Sequence, residues 1–107
     1  MSHPRHELDP VIHSPARFSI MALLSSVERA DFRFVRDTVQ VSDSGLSQHL
    51  TTLDKAGYIE IRKGQAGRRT TTWLTATAAG KAAFTAHLET LNRIAASPAP
   101  EAEETRP

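Results

Sequence analysis

The chain has 107 residues, no cysteine and a formal net charge of +1. That length suffices for one domain with a single modest core, not for an enzyme-sized cleft between two layers, and the missing cysteines exclude disulfides and thiolate metal sites. No apolar run approaches the length of a membrane span and the polar, proline-bearing N-terminus does not read as a signal peptide, so a cytoplasmic protein without a membrane partner is expected.

Residues 1–8 carry His3, Arg5, His6 and Glu7 with few apolar side chains, and are expected to form a flexible N-terminus. His3, His6 and His13 share no helical spacing, so no metal is expected there. Asp9-Pro10-Val11-Ile12 can close one short turn that packs on a neighbour. Ser14-Pro15 then signals a helix, because serine caps well and proline loses nothing at the first helical position. Ile20, Leu23, Leu24 and Val27 recur at helical spacing, with Phe18 and Met21 beside them, which marks a core helix. Arg17 near its start is either a surface residue or a phosphate contact. Asp31 caps a second helix, running to about Val39, with Phe32, Val35 and Val39 inward. Gln40 and Val41 make a short turn to Ser42, the connection expected of a helix-turn-helix.

Ser42 caps the third helix and Gly57 ends it. Leu46, Leu50 and Leu53 lie at i, i+4 and i+7 and so share one buried face. The other face carries Ser44, Ser47, Gln48, Thr51, Thr52 and Lys55. A solvated helix more often carries Glu and Lys there; short hydroxyl and amide side chains can instead bond base edges without desolvating a charge. Tyr58 to Lys63 reads as a half-buried strand and Thr70 to Leu74 as its partner, with Gly64-Gln65-Ala66-Gly67-Arg68-Arg69 as the turn between them. Residues 55–73 hold five basic side chains, Lys55, Arg62, Lys63, Arg68 and Arg69, against Glu60 alone. The positive potential is therefore concentrated on this hairpin, as phosphate binding requires, although a solvated hairpin that happens to be basic would have the same composition. Arg62, Lys63, Arg68, Arg69 and Thr70 are expected to form a basic wing.

Thr75 is expected to cap the last helix, in which Gly80 signals close packing. Phe84, Leu88, Leu91 and Ala95 recur on one face and, with Val11 and Ile12 and the first helix, are expected to form a two-fold dimer interface; the alternative is a helix packed wholly within one subunit. Residues 97–107, SPAPEAEETRP, have no apolar face and are expected to be a disordered acidic tail. This leaves residues 9–96 as one α+β, mostly helical domain: a winged helix-turn-helix with a two-stranded wing and a C-terminal dimerisation helix.

HSPARFSIMALL, DFRFVRD, SDSGLSQHLTTLDKAGYIEIRKG and GRRTTTWLTATAAGKAAF resemble the compact winged-helix transcriptional regulators related to the MarR and ArsR families. The resemblance spans roughly residues 9–95 and is most specific at Leu46-Ser47-Gln48-His49-Leu50, Ala56-Gly57-Tyr58, Gly67-Arg68-Arg69 and Leu74-Thr75. It implies that Ser44, Gly45, Ser47, Gln48 and Thr51 sit where recognition-helix residues enter the major groove, and that Arg68 and Arg69 sit on a wing reaching the adjacent minor groove. His49 occupies a position usually structural in that family. The chain lacks the cysteines of thiolate sensors, and is too short for some of the long helices between which larger MarR proteins bind aromatic ligands, so no effector is predicted.

The expected function is a homodimeric regulator of transcription that binds double-stranded DNA, most simply a repressor occluding a promoter. The alternative is a winged-helix module that docks protein or RNA. No paired carboxylates, nucleophile with a base or phosphate loop appears in the chain, so neither enzyme activity nor a cofactor is expected.

Overall fold

The computed structural model describes residues 3–96. Its four helices, α1 (Pro15–Ser25), α2 (Phe32–Val39), α3 (Asp43–Lys55) and α4 (Ala78–Ala95), start by one chemistry. Ser14, Asp31, Ser42 and Thr77 each accept a hydrogen bond from the backbone N–H three residues on, satisfying a donor that the first helical turn leaves free. The ends differ. At the end of α3, Gly57 (φ 80°) donates to the Asp54 carbonyl and Tyr58 to the Leu53 carbonyl, a closure that needs a left-handed residue. At the end of α2 that conformation falls on Gln40 (φ 63°), where a side chain costs about 1–2 kcal/mol.

Three strands form one antiparallel sheet in the order β1 (Ala30–Asp31), β3 (Arg69–Ala76), β2 (Ile59–Ala66). The two-stranded wing is the hairpin of β2 and β3, and β1 adds a third strand at its root. β1 pairs through Ala30 with Leu74 and through Asp31 with Trp73, a long-range pairing with no local signature. The hairpin strands also run further than expected. Ala66 pairs with Arg69, so the turn is only Gly67-Arg68, and Gly64, Gln65 and Thr70 lie within strands. Gly67 (φ 66°) supplies the left-handed residue that so tight a turn requires. At the other end, Glu60 pairs with Thr75 and Ile59 with Ala76. Thr75 is therefore a strand residue and not the cap of the last helix; Thr77 takes that role, and its hydroxyl also donates to the Gly57 carbonyl at 2.6 Å.

The core lies between the helices and one face of the sheet. Ile20, Met21 and Leu24 of α1, Val35 of α2, Leu46, Leu50 and Leu53 of α3, and Ile59, Leu74 and Ala76 of the sheet are all buried. Complete burial of a Leu or Ile side chain is worth about 1.5–3 kcal/mol, so the leucine stripe of α3 orients that helix firmly. Ile12 is also fully buried within the single chain, and Val11 packs against the core beside it. Ile12 is therefore corrected from the expected dimer interface to the core, because it has no surface left for a partner, whereas Val11 stays half-buried. The N-terminal residues are also less free than expected. Pro4–Glu7 form a 3-10 turn, and Glu7 accepts from Arg93 of α4 at 2.6 Å. The acidic tail lies outside the described residues.

Gly80 of α4 sits directly on the Tyr58 carbonyl, and a Cβ there would overlap that oxygen. Gly80→Ala gains about 1 kcal/mol of helix propensity but incurs overpacking worth about 1–3 kcal/mol or more against an atom of the main chain. The expected outcome is a net loss of about 2 kcal/mol, seen as a lower urea midpoint at unchanged slope. A variant as stable as the parent would show that the α4 contact can retreat without cost.

Candidate nucleic-acid interface

The angle between α2 and α3 is held by Arg36. Its guanidinium donates to Asp37 at 2.9 Å and to Asp43, the first residue of α3, at 3.0 Å, and its carbonyl accepts from Gln40 and Val41 in the turn. Hydrogen bonds to Asp37 and then Asp43 push the Arg36 pKa above its usual range. With the leucine stripe inward, α3 exposes Ser44, Ser47, Gln48, Thr51, Asp54 and Lys55, while Gly45 and Thr52 are half-buried. The hydroxyls of Thr51 and Thr52 donate to the carbonyls of Ser47 and Gln48 at 3.0 and 3.2 Å. They retain lone pairs and so can still accept. The Ser44 hydroxyl is 3.4 Å from that of Ser42. Gln48 is thus the exposed amide of this face, able to offer a donor and an acceptor from two separate atoms.

His49 lies between the polar face and the core. Its Nδ1 is 3.2 Å from Nη1 of Arg17; a guanidinium only donates, so Nδ1 accepts and the ring proton is on Nε2. Burial, and then the charge of Arg17, lower the His49 pKa from its ordinary 6.5. Arg17 also donates to the carbonyls of Val11 and Pro10. Three of its five N–H donors bond within the chain, tying the segment before α1 to α3.

On the wing, Arg68 lies in the turn and Arg69 beside it, both exposed. Among the described residues neither they nor Lys63 form an ion pair, whereas Arg62 is loosely paired with Glu60 at 3.7 Å. Strand alternation separates the expected wing residues. Arg62, Arg69, Thr71 and Trp73 share one face; Lys63, Gln65, Thr70 and Thr72 share the other. The Trp73 ring lies against Gly64, where a Cβ would come within 3.1 Å of it, and Arg29 stacks on the same ring with its guanidinium carbon 3.8 Å from the centroid. Arg29 is a basic residue of this surface that local sequence patterns miss, because only the pairing of Asp31 with Trp73 brings it there.

The face of α4 expected to meet a second copy carries Leu88, 41 % exposed, and Ala95, with Phe84 and Leu91 half-buried beside it. Phe84 stacks on Phe18 at 5.1 Å. Leu91 borders an open groove of about 250 Å³ lined also by Ile12, Pro15, Phe18 and His87. Among the described residues no three His, Cys, Asp or Glu side chains converge as metal ligands, and no helix is long and apolar enough to cross a membrane.

A helix braced by its predecessor, presenting uncharged donors and acceptors and followed directly by a basic hairpin, defines a winged helix-turn-helix. The chain belongs to the winged helix DNA-binding domain family, whose model matches residues 16–95. It is 30% identical over 74 residues to an uncharacterised protein of Methanocaldococcus jannaschii, covering 69% of this chain and 80% of that one. Its fold matches that of a transcriptional regulator homologue from Pyrococcus horikoshii with a TM-score of 0.83 at 21% identity, over 89% of this chain and 96% of that one. It also matches the transcriptional repressor CouR bound to a 23-mer DNA duplex, with a TM-score of 0.70 at 19% identity over 95% of this chain and 75% of that one. A MarR-family regulator from Silicibacter pomeroyi matches with a TM-score of 0.59 at 21% identity, over 95% of this chain and 70% of that one.

Arg29→Ala should cost about 0.5–1 kcal/mol, the value of an exposed cation–π contact. Trp73 is the single tryptophan, so its emission reports the change directly. It should shift to the red in the free protein, and an unchanged spectrum would mean that Arg29 does not cover the ring in solution.

Proposed function

We propose that this chain is a homodimeric, sequence-specific binder of duplex DNA that acts in the cytoplasm as a transcriptional repressor by occupying promoter DNA. In this reading α3 lies in the major groove and the wing follows the backbone into the adjacent minor groove. One observation carries it: the uncharged face of Ser44, Ser47, Gln48 and Thr51 adjoins a hairpin whose Lys63, Arg68 and Arg69 have no carboxylate partner among the described residues. Such a division suits a ligand with hydrogen-bonding edges flanked by phosphates. The duplex bound by CouR, which shares this fold, supports the same partner. No catalytic step and no resident cofactor is invoked.

The two parts should fail differently. Gln48→Ala should cost about 1–3 kcal/mol on a selected site and leave scrambled duplex nearly unaffected, as removal of a bidentate base contact does. Arg68→Ala combined with Arg69→Ala should weaken all duplexes and flatten the slope of log affinity against log salt by about 0.9 for each phosphate that the wing no longer neutralises. Equal losses on both duplexes for Gln48→Ala, or an untouched salt slope for the arginine pair, would refute the division. A protein with no salt-sensitive duplex binding at low ionic strength would be a docking module for protein or RNA instead.

The homodimer is proposed from the exposed apolar stripe of α4. Leu88→Glu or Leu91→Glu would place an unpaired charge in an apolar contact. The expected result is a sedimentation shift from dimer to monomer with helix content retained, and wild-type protein that sediments as a monomer at micromolar concentration would contradict the assembly. The operator is expected to be an inverted repeat with half-sites about 34–36 Å apart.

A further inference from the structure

His87 is a buried imidazole that neither base reading nor backbone binding uses. It is 2 % exposed and points inward from α4. Its Nδ1 accepts the backbone N–H of Asp9 at 3.1 Å, and its Nε2 lies 3.3 Å from Nδ1 of His13. The first bond fixes the tautomer. Nδ1 is bare, so the neutral ring carries its proton on Nε2 and donates it to His13, whose own proton is on Nε2. A metal on Nε2 of His87 would leave both ring nitrogens unprotonated, so this arrangement does not suit a two-histidine metal site.

Asp9 carries the contact onward. Its Oδ1 accepts from the Val11 N–H at 2.9 Å and its Oδ2 from the Tyr58 hydroxyl at 2.6 Å, while its carbonyl accepts from Ile12 and His13. Tyr58 stands where α3 hands over to β2, and Arg17 ties Pro10 and Val11 to His49 on α3. Residues 9–13 thus form a strap from α4 to the recognition helix and the root of the wing.

We propose that His13 and His87 form a proton-operated clasp on this strap, closed when both rings are neutral and opened by protonation, which loosens the recognition helix and wing and lowers duplex affinity. A proton on Nδ1 of His87 faces the Asp9 N–H, and one on Nδ1 of His13 faces the Nε2–H of His87. Either event sets donor against donor where a hydrogen bond stood. The groups around His87 offer little compensation. From the strap come His13 and Asp9, whose carboxylate is committed to Tyr58 and Val11; α1 contributes the apolar Phe18 ring at 5.9 Å; Glu7 of the 3-10 turn is paired with Arg93. Burial first and His13 second hold the His87 pKa below its ordinary 6.5, against an opposing pull from Asp9. The folded pKa is the lower one, so the unfolded or released form binds the proton more tightly. The stabilisation is complete above 6.5 and is lost as pH falls through the lower folded value. His49 is shifted the same way, so a variant must separate the two.

The duplex arm of the test rests on the DNA reading above; the other arms do not. The full chain is compared at about pH 7.5 and about pH 5.5 at fixed ionic strength, a window that spans an ordinary histidine. Amide-exchange protection factors are read at Asp9, Val11, Ile12 and His13, imidazole nitrogen shifts at His13 and His87, and affinity on a selected duplex. The expected result is an Nε2–H tautomer at His87 that titrates below 6.5, with strap protection and affinity falling together between the two pH values by at most about tenfold, the limit set by a pH one unit below the ordinary histidine value. In His87→Asn the amide oxygen can accept the Asp9 N–H without titrating, so the pH dependence of strap protection should shrink to the part that His49 carries through Arg17. Should that variant not fold, the nitrogen shifts of the wild type still decide. An Nδ1–H tautomer at His87, strap protection equal at both pH values, a pH dependence undiminished in His87→Asn, or affinity that does not follow protection each overturns the clasp. Duplex binding absent at both pH values counts against the DNA reading instead.

Discussion

The Gly57-Tyr58 junction is the point on which the rest of the molecule depends. The Tyr58 N–H closes α3 on the Leu53 carbonyl, its carbonyl accepts from Thr77 at the start of α4, and its hydroxyl reaches Asp9. The hydroxyl of Thr77 returns to the Gly57 carbonyl. Three elements distant in sequence therefore meet on two adjacent peptide groups, where their polar atoms satisfy one another. The hydrogen bond to Asp9, then burial, then the charge of Asp9 push the Tyr58 pKa up to about 12, so the phenol stays a donor. Gly80 matters for the same reason, since only a residue without a side chain lets α4 close on that carbonyl.

The candidate interface divides its work between two kinds of chemistry. Charge sits on the hairpin, where arginine and lysine are solvated, and the helix offers hydroxyl and amide groups, which are cheaper to desolvate than charges. Thr51 and Thr52 turn their protons onto their own helix, which leaves them acceptors and gives Gln48 the most versatile position. Arg36 and the leucine stripe hold this face at its angle; neither belongs to the polar face they orient.

The segment before α1 has a larger part than its composition suggests. Through Asp9, Arg17 and His87 it binds α3, α4 and the wing root to one another. Two histidines are in contact at its end, between the apolar groove and α3.

By itself the sequence determined whatever is written in local chemistry. Ser14, Asp31 and Ser42 cap three helices because a short oxygen-bearing side chain there meets a free N–H. Leu46, Leu50 and Leu53 decide which face of α3 is buried, and the polar face and basic hairpin follow from spacing and charge. Tertiary structure alone decided the rest. Thr75 and Thr77 are equivalent as local caps, and the choice falls to Thr77 because β2 pairs with β3 as far as Ala76. β1, Arg29 over Trp73, Ile12 in the core, and the bonds from Arg17 to His49 and from Asp9 to His87 each join residues far apart in the chain. No pattern of neighbours encodes such contacts, because their energy appears only once the chain has brought both partners out of water together.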